Sequence, residues 1–131
     1  MKILFICKYN RFRSRIAEAY FKKINKNNKI RIDSCGLIKG IPVSKTTISV
    51  AKKYGINMKG KTKGLDEKVL KSMDLLIIVA DNVPKSIFKK FNRKIIVWKI
   101  EDASQNDKND IEKVIKKIMK KVENLAKNLG K

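Results

Sequence analysis

Short apolar runs alternate with longer amphipathic stretches along this 131-residue chain, and that alternation limits the fold more than any other feature. Four runs read as strands: Lys2–Ile6, Ile30–Ser34, Leu75–Val79 and Lys94–Val97, each rich in Ile, Val or Leu. Runs with so little polar alternation suit strands covered on both faces, which implies a parallel sheet between helical layers. Ser14 to Ile24 carries Ile16, Ala17, Tyr20, Phe21 and Ile24 at helical spacing. After the second strand, Ser34-Cys35-Gly36-Leu37 reads as a turn, and a helix is expected from Ser44 to Tyr54, stopped by Gly55. A shorter helix is expected over Thr62 to Met73, and another opens at Pro84 and runs to about Lys90. The last helix starts at Asp107 or Asp110 and reaches about Leu129, with Ile111, Val114, Ile115, Ile118, Val122, Leu125 and Leu129 along one stripe. At this length the chain is expected to form one domain, 1–131, with a core that needs neither disulfide nor metal.

The first strand runs directly into Cys7-Lys8-Tyr9-Asn10-Arg11-Phe12-Arg13-Ser14, a cysteine and an arginine with five residues between them. If successive backbone N–H groups turn inward there, the loop becomes a nest for a tetrahedral oxyanion at the start of the following helix. The Cys7 sulfur would lie beneath the anion. The helix dipole, the inward amides and Arg13 would all favour the thiolate, which is the nucleophilic form. Arg13 can grip two equatorial oxygens through its planar fork, and Ser14 can hydrogen-bond the departing sulfur.

Thirty-three Lys and Arg against twelve Asp and Glu give a formal charge of +21, which raises the prospect of a nucleic-acid or acidic-membrane partner. The excess is mostly lysine, spread through every expected helix with almost no aromatic interleaving, so solvated helix faces account for it better and nucleic acid is not the expected partner. The field still steers anionic substrates toward the loop. The N-terminal apolar run is too short for a signal segment or a membrane span, so the cytoplasm is the expected compartment. Two cysteines and no histidine argue against a zinc cage and suit reducing surroundings. No cofactor or metal is expected.

The strand, the C-x5-R-S loop, Ser34-Cys35-Gly36, Tyr54-Gly55-Ile56 and the run from Asp74-Leu75-Leu76-Ile77-Ile78 to Asp81 together resemble the low-molecular-weight protein tyrosine phosphatase family. The resemblance implies an α/β, three-layer αβα fold with a four-stranded parallel sheet of order 2-1-3-4. It implies that Cys7 attacks phosphorus, that Arg13 and the loop amides hold the equatorial oxygens, and that Asp102, in Glu101-Asp102-Ala103, is the general acid. Lys8, Tyr9, Asn10, Arg11, Phe12 and Ser14 would line the nest, with Ser34 and Asp81 supporting it. The implied substrate is a phosphorylated protein or small phosphomonoester, phosphoarginine included, and the implied state is a monomer or weak dimer.

Departures from the family pattern cluster where substrate choice would be made. Tyr9 stands where the loop glycine is usual and would be strained if it took a positive φ; Phe12 stands in place of a second cysteine, leaving Cys35 as the possible thiol partner of Cys7. Asp102 is followed by Ala103-Ser104 rather than proline and tyrosine, so Tyr9, Phe12 or Trp98 would have to supply any aromatic wall. Two alternatives use the same loop: an arsenate reductase drawing on an external thiol, and a catalytically weakened anion- or nucleic-acid-binding module.

Overall fold

The chain was analysed as a computed structural model that describes residues 1–40, 42–58 and 60–129. Strands β1 (Lys2–Cys7), β2 (Arg31–Gly36), β3 (Leu75–Val79) and β4 (Lys94–Trp98) form one parallel sheet in the order β2-β1-β3-β4. The connecting helices are α1 (Arg13–Ile24), α2 (Lys45–Lys53), α3 (Glu67–Ser72) and α4 (Lys108–Leu129). β1 is central, with Ile3 opposite both Ile32 and Leu75, so its side chains are covered on both faces as its apolar run requires. Cys7, at its end, pairs with Gly36.

The two faces of the sheet are covered unequally. Ile3, Phe5 and Ile77 pack with Ile16, Phe21, Ile115 and Ile118, so α1, α2 and α4 build a single thick layer on that side. Phe5 lies 6.3 Å from Phe21 and 5.7 Å from Trp98, ring to ring. Full burial of each such side chain contributes about 1.5–3 kcal/mol. On the other face, Leu4, Ile6, Leu76 and Ile78 cluster with Met73, Val83 and Phe88, with Val69 and Leu70 of the short α3 packed against them. The α4 stripe is buried from Ile111 to Leu125, and its last expected position, Leu129, is half-buried against the same core.

Three expectations on local structure are corrected. β2 continues to Gly36 where a turn was expected from Ser34, because Gly36 N–H bonds Lys63 O and the ladder with β1 holds the strand straight. The expected helix over Thr62 to Met73 shrinks to α3, whose N-cap is Asp66, accepting from Lys68 N at 2.9 Å. Ahead of it, residues 62–64 are extended and Gly64 bridges Gly36. The segment from Pro84 is a 3-10 turn, Lys85–Phe88, and not an α-helix. Elsewhere the capping follows the sequence: Ser44 Oγ accepts from Thr47 N at the start of α2, and Gly55, at φ 71°, follows its end.

The acid–tyrosine contacts that tie α4 to the other helices make stability fall in alkali. Tyr20 O–H donates to Glu123, which raises its pKa to about 12; burial and a bond to Glu112 raise Tyr54 to about 12; burial raises the Cys35 thiol to about 12. Each folded value lies above the ordinary value of 10.0 for tyrosine or 9.0 for cysteine, so these groups contribute fully below pH 9. Their contribution disappears as pH rises toward 12. Urea midpoints should therefore be level near pH 8 and drop steadily above about pH 9, with a shallower drop in Tyr20→Phe. A midpoint unchanged to pH 11 would contradict this linkage.

Candidate active site

At the carboxyl end of β1 the chain turns through residues 8–12 into α1 without a conventional cap. Phe12 occupies the cap position with no side-chain bond to the helix, and no acid stands in the first turn. α2 and α3 are both capped by side chains. The first N–H groups of α1 and its positive dipole end therefore stay available to an anion.

Asn10 knots the loop. It has φ 57° and is the one non-glycine residue with positive φ among the described residues, a conformation asparagine tolerates. Its Oδ1 accepts from Lys63 N at 2.9 Å, which fixes the amide's orientation because a backbone N–H can only donate. Its Nδ2 then donates to Ser14 Oγ at 2.9 Å and to Ser34 Oγ at 3.0 Å. Ser34 passes its own proton to Glu18 at 2.5 Å. Ser14 Oγ, which already accepts from Asn10, also hydrogen-bonds Cys7 Sγ, 3.0 Å away; towards a thiolate the hydroxyl is the donor. Asn10 N–H reaches the same sulfur at 3.3 Å. Both contacts converge on a cysteine that is 2% exposed.

Close approach of β2 completes the nest. A Cβ on Gly36 would sit 2.6 Å from Tyr9 C and 2.7 Å from Asn10 N, and one on Gly40 would sit 2.4 Å from Tyr9 O. Glycine at these two positions lets the backbone beyond β2 lie against the loop. Tyr9 avoids the positive φ that its place in the glycine position raised as a source of strain.

Arg13 is buried and anchored at its far end. Nη1 donates to Ile100 O at 2.8 Å and Nη2 to Asn82 Oδ1 at 3.0 Å, with Asp81 Oδ1 at 3.5 Å from Nη1. Guanidinium carries five N–H donors, so these two bonds leave others for an anion. Asp102 Oδ1 lies 3.9 Å from Arg13 Nε, and Oδ2 lies 3.7 Å from Arg11 Nη2. The loop bearing Asp102 lacks the family's proline yet is braced by bonds: Ala103 N to Asp102 Oδ1, Ser104 N to Asp110 Oδ2 at 2.8 Å, and Thr47 Oγ1 to Gln105 Oε1 at 2.5 Å.

The expected site residues thus divide into three groups. Cys7, Asn10, Ser14 and Ser34 form one buried hydrogen-bonded cluster, and Arg13 brings Asp81 and Asp102 beside it. Lys8, Tyr9 and Arg11 form a rim, with Lys8 Nζ 5.2 Å from the Tyr9 ring centre. Phe12 and Trp98 are corrected: at 1% and 7% exposed they belong to the core, and neither forms a wall to the mouth. Cys35 pairs in register with Ile6 and is held as an unreactive thiol by burial. Asn82, Glu18 and the Lys63 amide escaped the sequence reading; only the place of Asn82 just beyond β3, at the carboxyl edge of the sheet, could have signalled it. A cleft of about 670 Å³ opens between α3 and the 3-10 turn, and no residue of the Cys7–Ser14 loop lines it.

A parallel αβα sheet that sets a buried cysteine against Ser14 and the Asn10 amide at the uncapped start of a helix, with an anchored arginine on that helix, defines a class of enzymes acting on tetrahedral oxyanions, phosphatases or arsenate reductases. The chain belongs to the low molecular weight phosphotyrosine protein phosphatase family, whose family model matches residues 2–131. A low molecular weight protein tyrosine phosphatase from T. tengcongensis superposes with a TM-score of 0.83 at 25% identity, over 98% of this chain and 99% of that one. An arsenate reductase from Archaeoglobus fulgidus superposes with a TM-score of 0.78 at 26% identity, over 95% of this chain and 98% of the other. A glutaredoxin arsenate reductase from Synechocystis is 38% identical over 61 residues, which are 47% of this chain and 45% of that protein. Among the described residues, no helix is long and apolar enough to cross a membrane.

Proposed function

We propose that the protein hydrolyses phosphate monoesters, aryl phosphates and phosphotyrosine foremost, through a phosphocysteine. The observation that carries this reading is the meeting of three groups: the Cys7 sulfur in the nest, the anchored Arg13, and the Asp102 carboxyl 3.9 Å from Arg13 Nε. The Cys7 sulfur attacks phosphorus and the ester P–O bond breaks, its electron pair leaving with the alkoxide or phenoxide oxygen. Asp102 gives that oxygen its proton. Water then attacks the phosphocysteine, its proton passes to the Asp102 carboxylate, and the P–S bond breaks to return the thiolate. Arg13 and the first amides of α1 hold the charge on the equatorial oxygens throughout, and Ser14 O–H steadies the sulfur as it leaves.

Asp102→Asn is the direct test of the acid. Hydrolysis of phenyl phosphate should fall by roughly 10²–10³-fold, and hydrolysis of 4-nitrophenyl phosphate by distinctly less, since the better leaving group needs its proton less. Equal losses on both esters would remove Asp102 from the acid's role.

A second reading is favoured by the relative named as an arsenate reductase: arsenate bonds to Cys7 with loss of one oxygen as water, one external thiol displaces Cys7 from arsenic, and a second attacks that thiol's sulfur, so that a disulfide forms as its electron pair takes As(V) to As(III). Cys35, the other cysteine of the chain, is buried and inert, so this route needs thiols from outside. Arsenate-dependent oxidation of glutathione without ester hydrolysis would establish it in place of the phosphatase. Phosphate binding with neither activity would leave an anion-binding module.

A further inference from the structure

The two arginines of the loop are held in opposite ways. Arg13 is 2% exposed and bonded to Ile100 and Asn82. Arg11 keeps 23% of its side chain exposed, and its Nε is buried with no hydrogen-bond partner among the described residues. Its guanidinium carbon lies 5.7 Å from the centre of the Tyr9 ring, within the range of a cation stacked on an aromatic face. The nearest carboxylate, Asp102 Oδ2, stands 3.7 Å from Nη2, beyond hydrogen-bond length. Tyr9 is itself backed by Gly40, where any Cβ would strike Tyr9 O, and Lys8 Nζ approaches its ring as well. The lip of the nest therefore carries a planar cation on an aromatic plate with an uncommitted fork. A guanidinium ordered in this way loses little freedom when it takes a carboxylate.

We propose that Arg11, seated on Tyr9, is a specificity-determining residue that takes a second anionic group of the substrate, so that the preferred substrates are phosphotyrosyl segments with Asp or Glu beside the phosphotyrosine. This rests on the phosphatase reading above. The carboxylate replaces the loose contact between Arg11 and Asp102 with a bidentate one, while the phosphoryl group sits between Arg13 and the amides. The general charge of +21 attracts any acidic peptide, so the proposal concerns the share of the preference that belongs to position 11.

The test compares kcat/KM for three phosphotyrosyl peptides flanked by Glu, Gln or Lys, at 0.15 M salt. Wild type, Arg11→Gln, Arg11→Lys, Tyr9→Leu and Lys120→Gln are measured, the last removing an equal charge from an exposed site on α4. In wild type and Lys120→Gln the Glu peptide should be preferred to the Gln peptide by about fivefold. Arg11→Gln should bring that ratio close to one, with Arg11→Lys and Tyr9→Leu in between. The ratio is read within each variant, so a change in its absolute activity does not obscure it. A ratio in Arg11→Gln equal to that of Lys120→Gln would overturn the proposal. If wild type hydrolyses neither these peptides nor phenyl phosphate, the phosphatase reading falls, and the same ratios taken from peptide dissociation constants decide whether Arg11 reads acidic neighbours.

Discussion

Cys7→Ser should reduce hydrolysis of phenyl phosphate by roughly 10⁴-fold or more while leaving the fold intact. The sulfur receives Ser14 O–H at 3.0 Å and Asn10 N–H at 3.3 Å, both suited to an anion. A serine hydroxyl put there has no base to take its proton, because the neighbouring groups Ser14, Asn10 and the amides of α1 are all set to donate. Oxygen is smaller than sulfur and hydrogen-bonds the same partners, so the thermal midpoint should move by only a few degrees. Rapid quenching of the wild type with a 4-nitrophenyl ester should trap phosphate on Cys7, detectable by mass. Hydrolysis that survives the substitution at wild-type rate would end the phosphocysteine mechanism.

Asn10→Ala should cost about 2–4 kcal/mol of stability and lower kcat/KM more than a hundredfold. Three bonds of the amide are lost, to Lys63 N, Ser14 and Ser34, each worth about 1 kcal/mol net, and the residue is left at φ 57° without the side chain that makes this conformation tolerable. The activity loss follows from the same bonds. Without Asn10 the Ser14 hydroxyl no longer has its proton directed at sulfur, and the loop is no longer tied to residues 62–64. Asn10→Gly separates the two contributions, since glycine loses the bonds but accepts the positive φ. It should be the more stable of the two by about 1 kcal/mol in urea unfolding, and should share the loss of activity. If alanine and glycine unfold together, backbone strain at position 10 is not part of the loop's energetics.

The strands were legible because each had a covered, unbroken apolar run. Leu75–Val79 was read with its observed ends, and β4 gained only Trp98. The α4 stripe was equally plain, since a period near 3.6 sustained from Ile111 to Leu125 has no other regular use in a domain of this kind. Residues 62–66 were misread as helix because their structure is decided elsewhere: Lys63 gives its N–H to Asn10 and its carbonyl to Gly36, contacts between residues 27 to 53 positions apart that no local pattern encodes. The segment after Pro84 had the composition of a helix start but only four residues of helical geometry. In the site, Cys7, Asn10, Arg13 and Ser14 follow from one contiguous loop. Asn82, Glu18 and Thr47 reach it from three separate elements and carry residue types too common to stand out. Phe12 was misassigned for a similar reason, as a loop position in sequence whose side chain turns into the core.

The central position of β1 has a consequence for the order in which the molecule comes into being during synthesis. Cys7 leaves the ribosome well before its supports do: β1 needs residues 75–79 on one side, and the guanidinium of Arg13 is held by Asn82 and Ile100. A nascent chain that has not yet reached residue 100 therefore carries Cys7 without the β3 pairing and without the contacts that hold Arg13. Chemistry at sulfur switches on at one moment, late, with closure of the whole sheet. A fragment ending before Asp102 also lacks the carboxyl that stands beside Arg13 in the complete fold.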